Sequence, residues 1–159
     1  MSLTGLERRM SGMAIRAATA ADMLSVGLIE RDSFADPWGS REFTSALESP
    51  HTIFLVAADA GGIVCGYVIA LAVQDEAEVL NLAVSPTDRG KGIGAGLLDA
   101  AIGRVCDRGA ANIYLEVRES NEAARGLYAS RGFEEISRRV KYYRSPVEDA
   151  LVLHLAVQR

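Results

Sequence analysis

Residues 81–98, Asn-Leu-Ala-Val-Ser-Pro-Thr-Asp-Arg-Gly-Lys-Gly-Ile-Gly-Ala-Gly-Leu-Leu, constrain this chain more than any other stretch. An apolar strand end runs through a short turn into a glycine-rich loop, and the loop opens an apolar helix. The first amides of a helix have no internal partners and sit at the positive end of its dipole. Glycines let those amides converge on an anion with no Cβ in the way. Gly90, Gly92, Gly94 and Gly96 stand at that point, and Arg89 and Lys91 add formal charge. The spacing predicts a phosphate-binding loop over Arg89, Gly90, Lys91, Gly92, Ile93, Gly94 and Ala95. A tight turn that only packs a helix on a sheet is the plainer reading of the same glycines.

Three phosphate-loop patterns compete for the stretch. A Walker loop needs Gly-Lys followed by Ser or Thr, and Gly92 follows Lys91 here. A dinucleotide fingerprint fits loosely as Gly90-x-Gly92-x-x-Ala95, with Glu116 downstream for a ribose hydroxyl. Against it, five residues separate Val84 from Gly90, and the chain lacks the further strand–helix units of such a sheet. The pattern left standing is Arg89-x-x-Gly92-x-Gly94.

The rest of the chain surrounds this unit with alternating elements. A short strand over Met13 to Ala18 precedes a helix over Ala21 to Ser33, capped by Thr19. Asp36-Pro37-Trp38-Gly39 breaks it, and Ser40 restarts a helix that Pro50 ends. Thr52 to Ala58, Ile63 to Val73 and Glu78 to Val84 read as a three-stranded meander. After the helix of Gly92 to Cys106 come a strand over Asn112 to Val117 and a helix capped by Ser120 or Asn121. A strand begins at Phe133, Tyr142 and Tyr143 fall in a loop or strand end, and Ala150 to Val157 is the last strand. That order predicts an α/β domain: a mixed central sheet of about seven strands with helices on both faces. Residues 1–12 lack periodicity and read as a disordered leader before one domain over 13–159.

Of the 159 residues 49% are apolar, enough for a substantial core, and the net charge is −4. The negative balance speaks against direct nucleic-acid binding, which calls for a basic face. No apolar run is long enough for a membrane span. Cys65 and Cys106 fit no disulfide framework, and with His51 and His154 they form no metal-ligand spacing. The reading is a cytoplasmic protein with no metal; nothing in the sequence speaks to its oligomeric state.

Two side chains invite chemistry. Glu116 interrupts the apolar strand Ile113-Tyr114-Leu115-Glu116-Val117, either paired with Arg118 or placed as a general base at the sheet's carboxyl edge. Tyr128 shares a helix face with Leu127 and reads as core with a polar tip, or as an acid for a departing thiolate. Trp38, the only tryptophan, either plugs the helix pair or walls a substrate groove.

On two motifs the sequence resembles the GCN5-related N-acetyltransferases. Arg89-Gly90-Lys91-Gly92-Ile93-Gly94 matches their Arg/Gln-x-x-Gly-x-Gly/Ala signature, and Asn121-x-x-Ala124-x-x-Leu127-Tyr128-x-x-x-Gly132-Phe133 matches their second. Within them it is most similar to the ribosomal-protein-alanine branch. That likeness rests on Phe34-x-x-Pro37-Trp38, Asp75 to Val84, Leu115 to Asn121, Arg139-x-x-Tyr142-Tyr143 and Glu148 to Leu153. The resemblance implies transfer of acetyl from acetyl-CoA to the N-terminal amine of a ribosomal protein; the acidic run Asp75, Glu76 and Glu78 reads either as an attraction for a basic peptide or as a solvated turn. The resemblance also implies that the backbone of Leu82, Ala83 and Val84 binds the pantetheine arm, that Gly90 to Ala95 cradle the pyrophosphate, and that Asn121 touches the cofactor. Glu116 would be the general base and Tyr128 the general acid, with Trp38 and Tyr142 against the acceptor. Acetylation of a small amine or a lysine side chain, or a CoA-binding module without chemistry, are the competing readings.

Overall fold

The computed structural model describes residues 12–157. The expected leader lies outside the described residues except for Gly12. Seven strands form one sheet: β1 (Ala14–Ala17), β2 (Thr52–Ala58), β3 (Val64–Val73), β4 (Glu76–Val84), β5 (Asn112–Arg118), β6 (Glu134–Arg144) and β7 (Val147–Ala156). Their spatial order is β1-β2-β3-β4-β5-β7-β6, and only β4 and β5 run parallel. The helices are α1 (Met23–Ser33), α2 (Ser40–Glu48), α3 (Ile93–Asp107) and α4 (Glu122–Ser130).

Each face of the sheet carries its own core, as the expected two-faced α/β arrangement requires. α3 buries Ile93, Leu97, Leu98, Ala101 and Val105 on the same side as Leu55, Val68, Ile113 and Leu151. The opposite face packs Val26 and Ile29 of α1 and Phe43 of α2 against Phe54, Val56, Tyr67 and Ile69. α3 presses closest at Gly66 on β3, where a Cβ would lie 3.0 Å from the Ala83 carbonyl oxygen and 3.1 Å from Leu97 Cδ1. A side chain there would push the Ala83 backbone and Leu97 outward.

Two irregularities of the sheet shape what lies at its centre. Along β3–β4, Ile69 pairs with Asn81 and Ala70 with Val79, so Leu80 is an extra, unpaired residue. Such a bulge reverses which face the following side chains take. Val79 packs with the α3 core, whereas Ala83 packs with the α1 core. Between β4 and β5 the pairing runs only from Glu76↔Asn112 to Val79↔Leu115. Beyond it the strands part, and Leu80 to Val84 faces Glu116 to Arg118 across an open wedge.

The last hairpin is longer than expected, with Tyr142 and Tyr143 near the strand end, one of the two placements the sequence offered. Tyr142 and Tyr143 belong to an 11-residue β6 that pairs with β7, which itself begins at Val147 rather than Ala150. Register breaks between Glu135 and Ser137 and between Arg139 and Tyr143, with Lys141 at φ 53°, scramble the alternation by which a strand is recognised.

Candidate active site

The wedge between β4 and β5 opens into a cavity of about 270 Å³. Leu82 lines one wall, Glu116, Asn121 and Tyr128 the other, and Trp38 reaches in from the α1–α2 loop. A second cavity of about 530 Å³ shares Trp38, Asn81 and Glu116 with the first and adds Glu78 and Tyr142. The structure therefore brings five of the residues singled out in the sequence to one cavity, and Tyr142 to its neighbour.

Glu116 is half-buried at the point where β5 leaves β4. Its cationic partner is Arg139 of β6, at 3.2 Å, and not the adjacent Arg118. Arg118 instead bonds Glu148 at 3.0 Å and lies over the Tyr143 ring at 4.2 Å. Glu148 also accepts from the backbone N–H of Ser120 at 3.1 Å, which fixes the β5–α4 turn to β7. Burial and then the nearby Glu116 charge push the Tyr143 phenol up to about 12. The Tyr142 phenol is raised chiefly by the Glu116 charge, with burial second. For Glu78, burial and the Glu116 charge raise the carboxyl against the pull of Arg139.

Tyr128 is 8% exposed and packs edge-on against Phe133, with ring centroids 5.8 Å apart. Burial, with a smaller contribution from Tyr143, pushes its phenol up to about 12. A buried phenol of this kind holds its proton until a strong base forms beside it. Asn121 caps α4, its Oδ1 accepting from the Ala124 N–H at 3.1 Å. Trp38 stacks at a tilt on Phe43, 5.4 Å between centroids, and lines the cavity as well.

The glycine loop lies at the α3 N-terminus. Gly92 takes φ +85° as the residue before the helix, a conformation that L side chains rarely adopt. The two cations of the loop have protein partners. Arg89 donates to the Val84 carbonyl at 3.0 Å and to Ser33 Oγ at 3.2 Å, and Lys91 pairs with Asp88 at 3.3 Å. The charge expected at the loop is thus partly spent on holding its shape. Among the described residues, no group of three or more His, Cys, Asp and Glu is placed to hold a metal, and no helix is long and apolar enough to cross a membrane.

Sequence reasoning passed over three polar residues at this centre. Glu30, Asn81 and Arg139 were not singled out for a role. Glu30 had a signal: it lies four residues after Val26 and seven after Met23, on the apolar stripe of α1, where a charge needs a partner.

A parallel pair thus splays beside a glycine-rich helix start, with a carboxylate and a phenol lining the gap. The model of the acetyltransferase (GNAT) family matches residues 23–133, and the chain belongs to that family. It is an acetyl-CoA-dependent N-acetyltransferase. Among relatives, it is 34% identical over 145 residues to the ribosomal protein bS18-alanine N-acetyltransferase of Escherichia coli K12, spanning 90% of this chain and 97% of that one. It is 36% identical over 151 residues to the N-alpha-acetyltransferase RimI of Mycobacterium tuberculosis, spanning 89% and 90%. The crystal structure of the ribosomal-protein-S18-alanine N-acetyltransferase from Escherichia coli superposes with a TM-score of 0.85 at 32% identity, covering 92% of this chain and 95% of that one.

Proposed function

We propose that this enzyme acetylates the N-terminal amine of a ribosomal protein, alanine being the first residue, by direct transfer from acetyl-CoA in the cytoplasm. One observation carries the reading: Glu116 and Tyr128 face a single cavity at the place where β4 and β5 part. The names of the relatives, bS18-alanine and N-alpha acetyltransferases, supply the acceptor.

Acetyl-CoA suits what the wedge offers. From Leu80 to Val84 the β5-facing edge of β4 lacks a partner strand, so its backbone groups can pair with the amide-bearing pantetheine arm as an added strand would. The amides of Gly90 to Ala95, at the start of α3, suit a pyrophosphate. Asn121 lies on the opposite side of the gap. When bound, acetyl-CoA supplies the activated acetyl group.

The side chains would then divide the proton work. The acceptor enters between Trp38 and Tyr142 as an ammonium, and Glu116 removes its proton, directly or through water. The free amine attacks the thioester carbonyl, and a backbone N–H near Val84 meets the developing oxyanion. Tyr128 gives its proton to the departing thiolate, and the excess proton left on the new amide nitrogen restores the phenol. The outer cavity sets Asp36, Glu78 and Glu116 beside Arg118 and Arg144, and a basic residue of the peptide would be met on its carboxylate side.

The test is CoA release with two peptides of one basic sequence beginning with alanine, one with a free and one with a blocked N-terminus. Activity on the free peptide alone supports the reading. Turnover of both peptides points to lysine side chains, and turnover of neither, with acetyl-CoA still bound, to a small amine or a silent binding module.

A further inference from the structure

On one wall of the cavity lies a polar cluster that the transfer chemistry does not use. Glu30, on α1, is 1% exposed and sits among Val26, Phe43, Tyr67 and Ile69, the core of that face. Burying a carboxylate there is costly unless every lone pair finds a donor. Three donors meet it, each from a different element. Oε1 accepts from the Tyr67 hydroxyl of β3 and from Asn81 Nδ2 of β4 at 3.0 Å. Oε2 accepts from the backbone N–H of Trp38 at 2.7 Å, with Asn81 Nδ2 again at 3.3 Å.

The third bond matters most for function. Trp38 lies eight residues after Glu30, in the loop that closes the cavity, and loop backbone is ordinarily satisfied by water. Here one carboxylate ties that loop to β4 at Asn81, the residue that follows the Leu80 bulge. The bulge turns Asn81 toward α1; without it the alternation would send this side chain to the other face. Three residues on, Ser33 at the end of α1 receives Arg89 from the glycine loop at 3.2 Å. The end of α1 is therefore bonded to both sides of the site.

We infer that Glu30 is a positioning residue that sets the acceptor wall of the site, by holding the Trp38 backbone against the strand where acetyl-CoA binds. The inference rests on the acceptor entering past Trp38, as proposed above. Tyr67 marks the difference between positioning and mere stability. Its hydroxyl bonds Oε1, whereas the Trp38 N–H bonds Oε2, and Tyr67 does not line the cavity, so losing it weakens the core and leaves the Trp38 bond in place.

Trp38 is the only tryptophan, so its fluorescence reports the loop directly. Glu30→Met offers the Trp38 N–H no acceptor. Glu30→Gln still has one carbonyl for it, since the Tyr67 hydroxyl and the Asn81 amide can both turn to accept. Tyr67→Phe serves as the stability control. Acrylamide quenching of Trp38 is expected to rise about twofold in Glu30→Met, and KM for the acceptor about tenfold, with acetyl-CoA affinity unchanged. Glu30→Gln should stay near wild type in both, and Tyr67→Phe should lower the melting temperature only. Should Glu30→Met not fold, Glu30→Asp takes its place, because it draws the carboxylate back from the loop by one methylene.

The acceptor used is whichever one the wild type turns over, the alanine peptide or a small amine. Failure of the peptide reading therefore appears in the wild type and leaves this test intact. Wild-type quenching and KM in the substituted protein would overturn the inference. So would a KM rise of equal size in Tyr67→Phe.

Discussion

The guanidinium of Arg139 lies 3.2 Å from the Glu116 carboxylate and 4.9 Å above the ring of Tyr142. One side chain on β6 thus joins the proposed base on β5 to the aromatic wall of the outer cavity. A partly exposed ion pair and a cation–π contact are each worth up to about 1 kcal/mol. Arg139→Ala should therefore raise KM for the acceptor roughly fivefold, because Tyr142 loses its anchor, and leave acetyl-CoA affinity alone. Steady-state kinetics with each substrate varied in turn checks this. An equal change in both constants would mean that Arg139 acts through general stability.

Glu116→Gln should lower kcat by about 10²-fold or more at neutral pH, the usual contribution of a positioned base. The deficit should shrink as pH rises past about 8, where an α-amine gives up its proton unaided. A pH–rate profile parallel to wild type would remove Glu116 from the proton path.

Burial pushes the Tyr128 phenol up to about 12, so the proposed acid keeps its proton well into the alkaline range. The wild-type rate should not fall by pH 10, where an ordinary phenol is half ionised. Tyr128→Phe should cost about 10²-fold in kcat with acetyl-CoA binding unchanged. A wild-type alkaline limb centred near 10 that survives the substitution would count against this role.

Away from the site, Asp22 receives a bidentate pair from Arg16 at 2.7 and 2.9 Å and the Thr19 N–H at 2.8 Å. Led by the Arg16 bond, these contacts lower its carboxyl from 3.8 to about 2. A depressed carboxyl stabilises the fold above its unfolded value and loses that contribution as pH falls toward the folded one. The difference corresponds to about 2 kcal/mol. Asp22→Asn should be less stable than wild type by about that amount at pH 7, and the gap should close near pH 2. Urea unfolding at both pH values measures it.

How far the sequence foretold this molecule depended on the range of the forces involved. α3 was legible because Ile93, Leu97, Leu98, Ala101 and Val105 keep one period from loop to cap, and β5 because Glu116 broke an otherwise apolar run. Glu116 and Tyr128, which share one cavity, and the glycine loop at the start of α3 stood out in the sequence because each rests on local spacing. The Leu80 bulge was not, because a one-residue slip shows only against β3. The Glu30 cluster was missed for a related reason: its donors come from positions 38, 67 and 81, and no local pattern joins them. Arg139 was overlooked as the partner of Glu116, for Arg118 lay nearer in sequence and is claimed by Glu148 in space.

The parting of β4 from β5 also leaves unpaired strand backbone inside the sheet. Unpaired strand backbone invites another chain to add on, and long open edges are a route to aggregation. The outer edges of this sheet are blunted: β1 has four residues, and β6 carries register breaks and the charges of Glu134, Glu135, Arg138, Arg139, Lys141 and Arg144. The open backbone of β4 lies in the middle of the sheet, fenced by β5 and α4. A slender ligand can slip in beside it, whereas a strand from another sheet would have to displace β5 first.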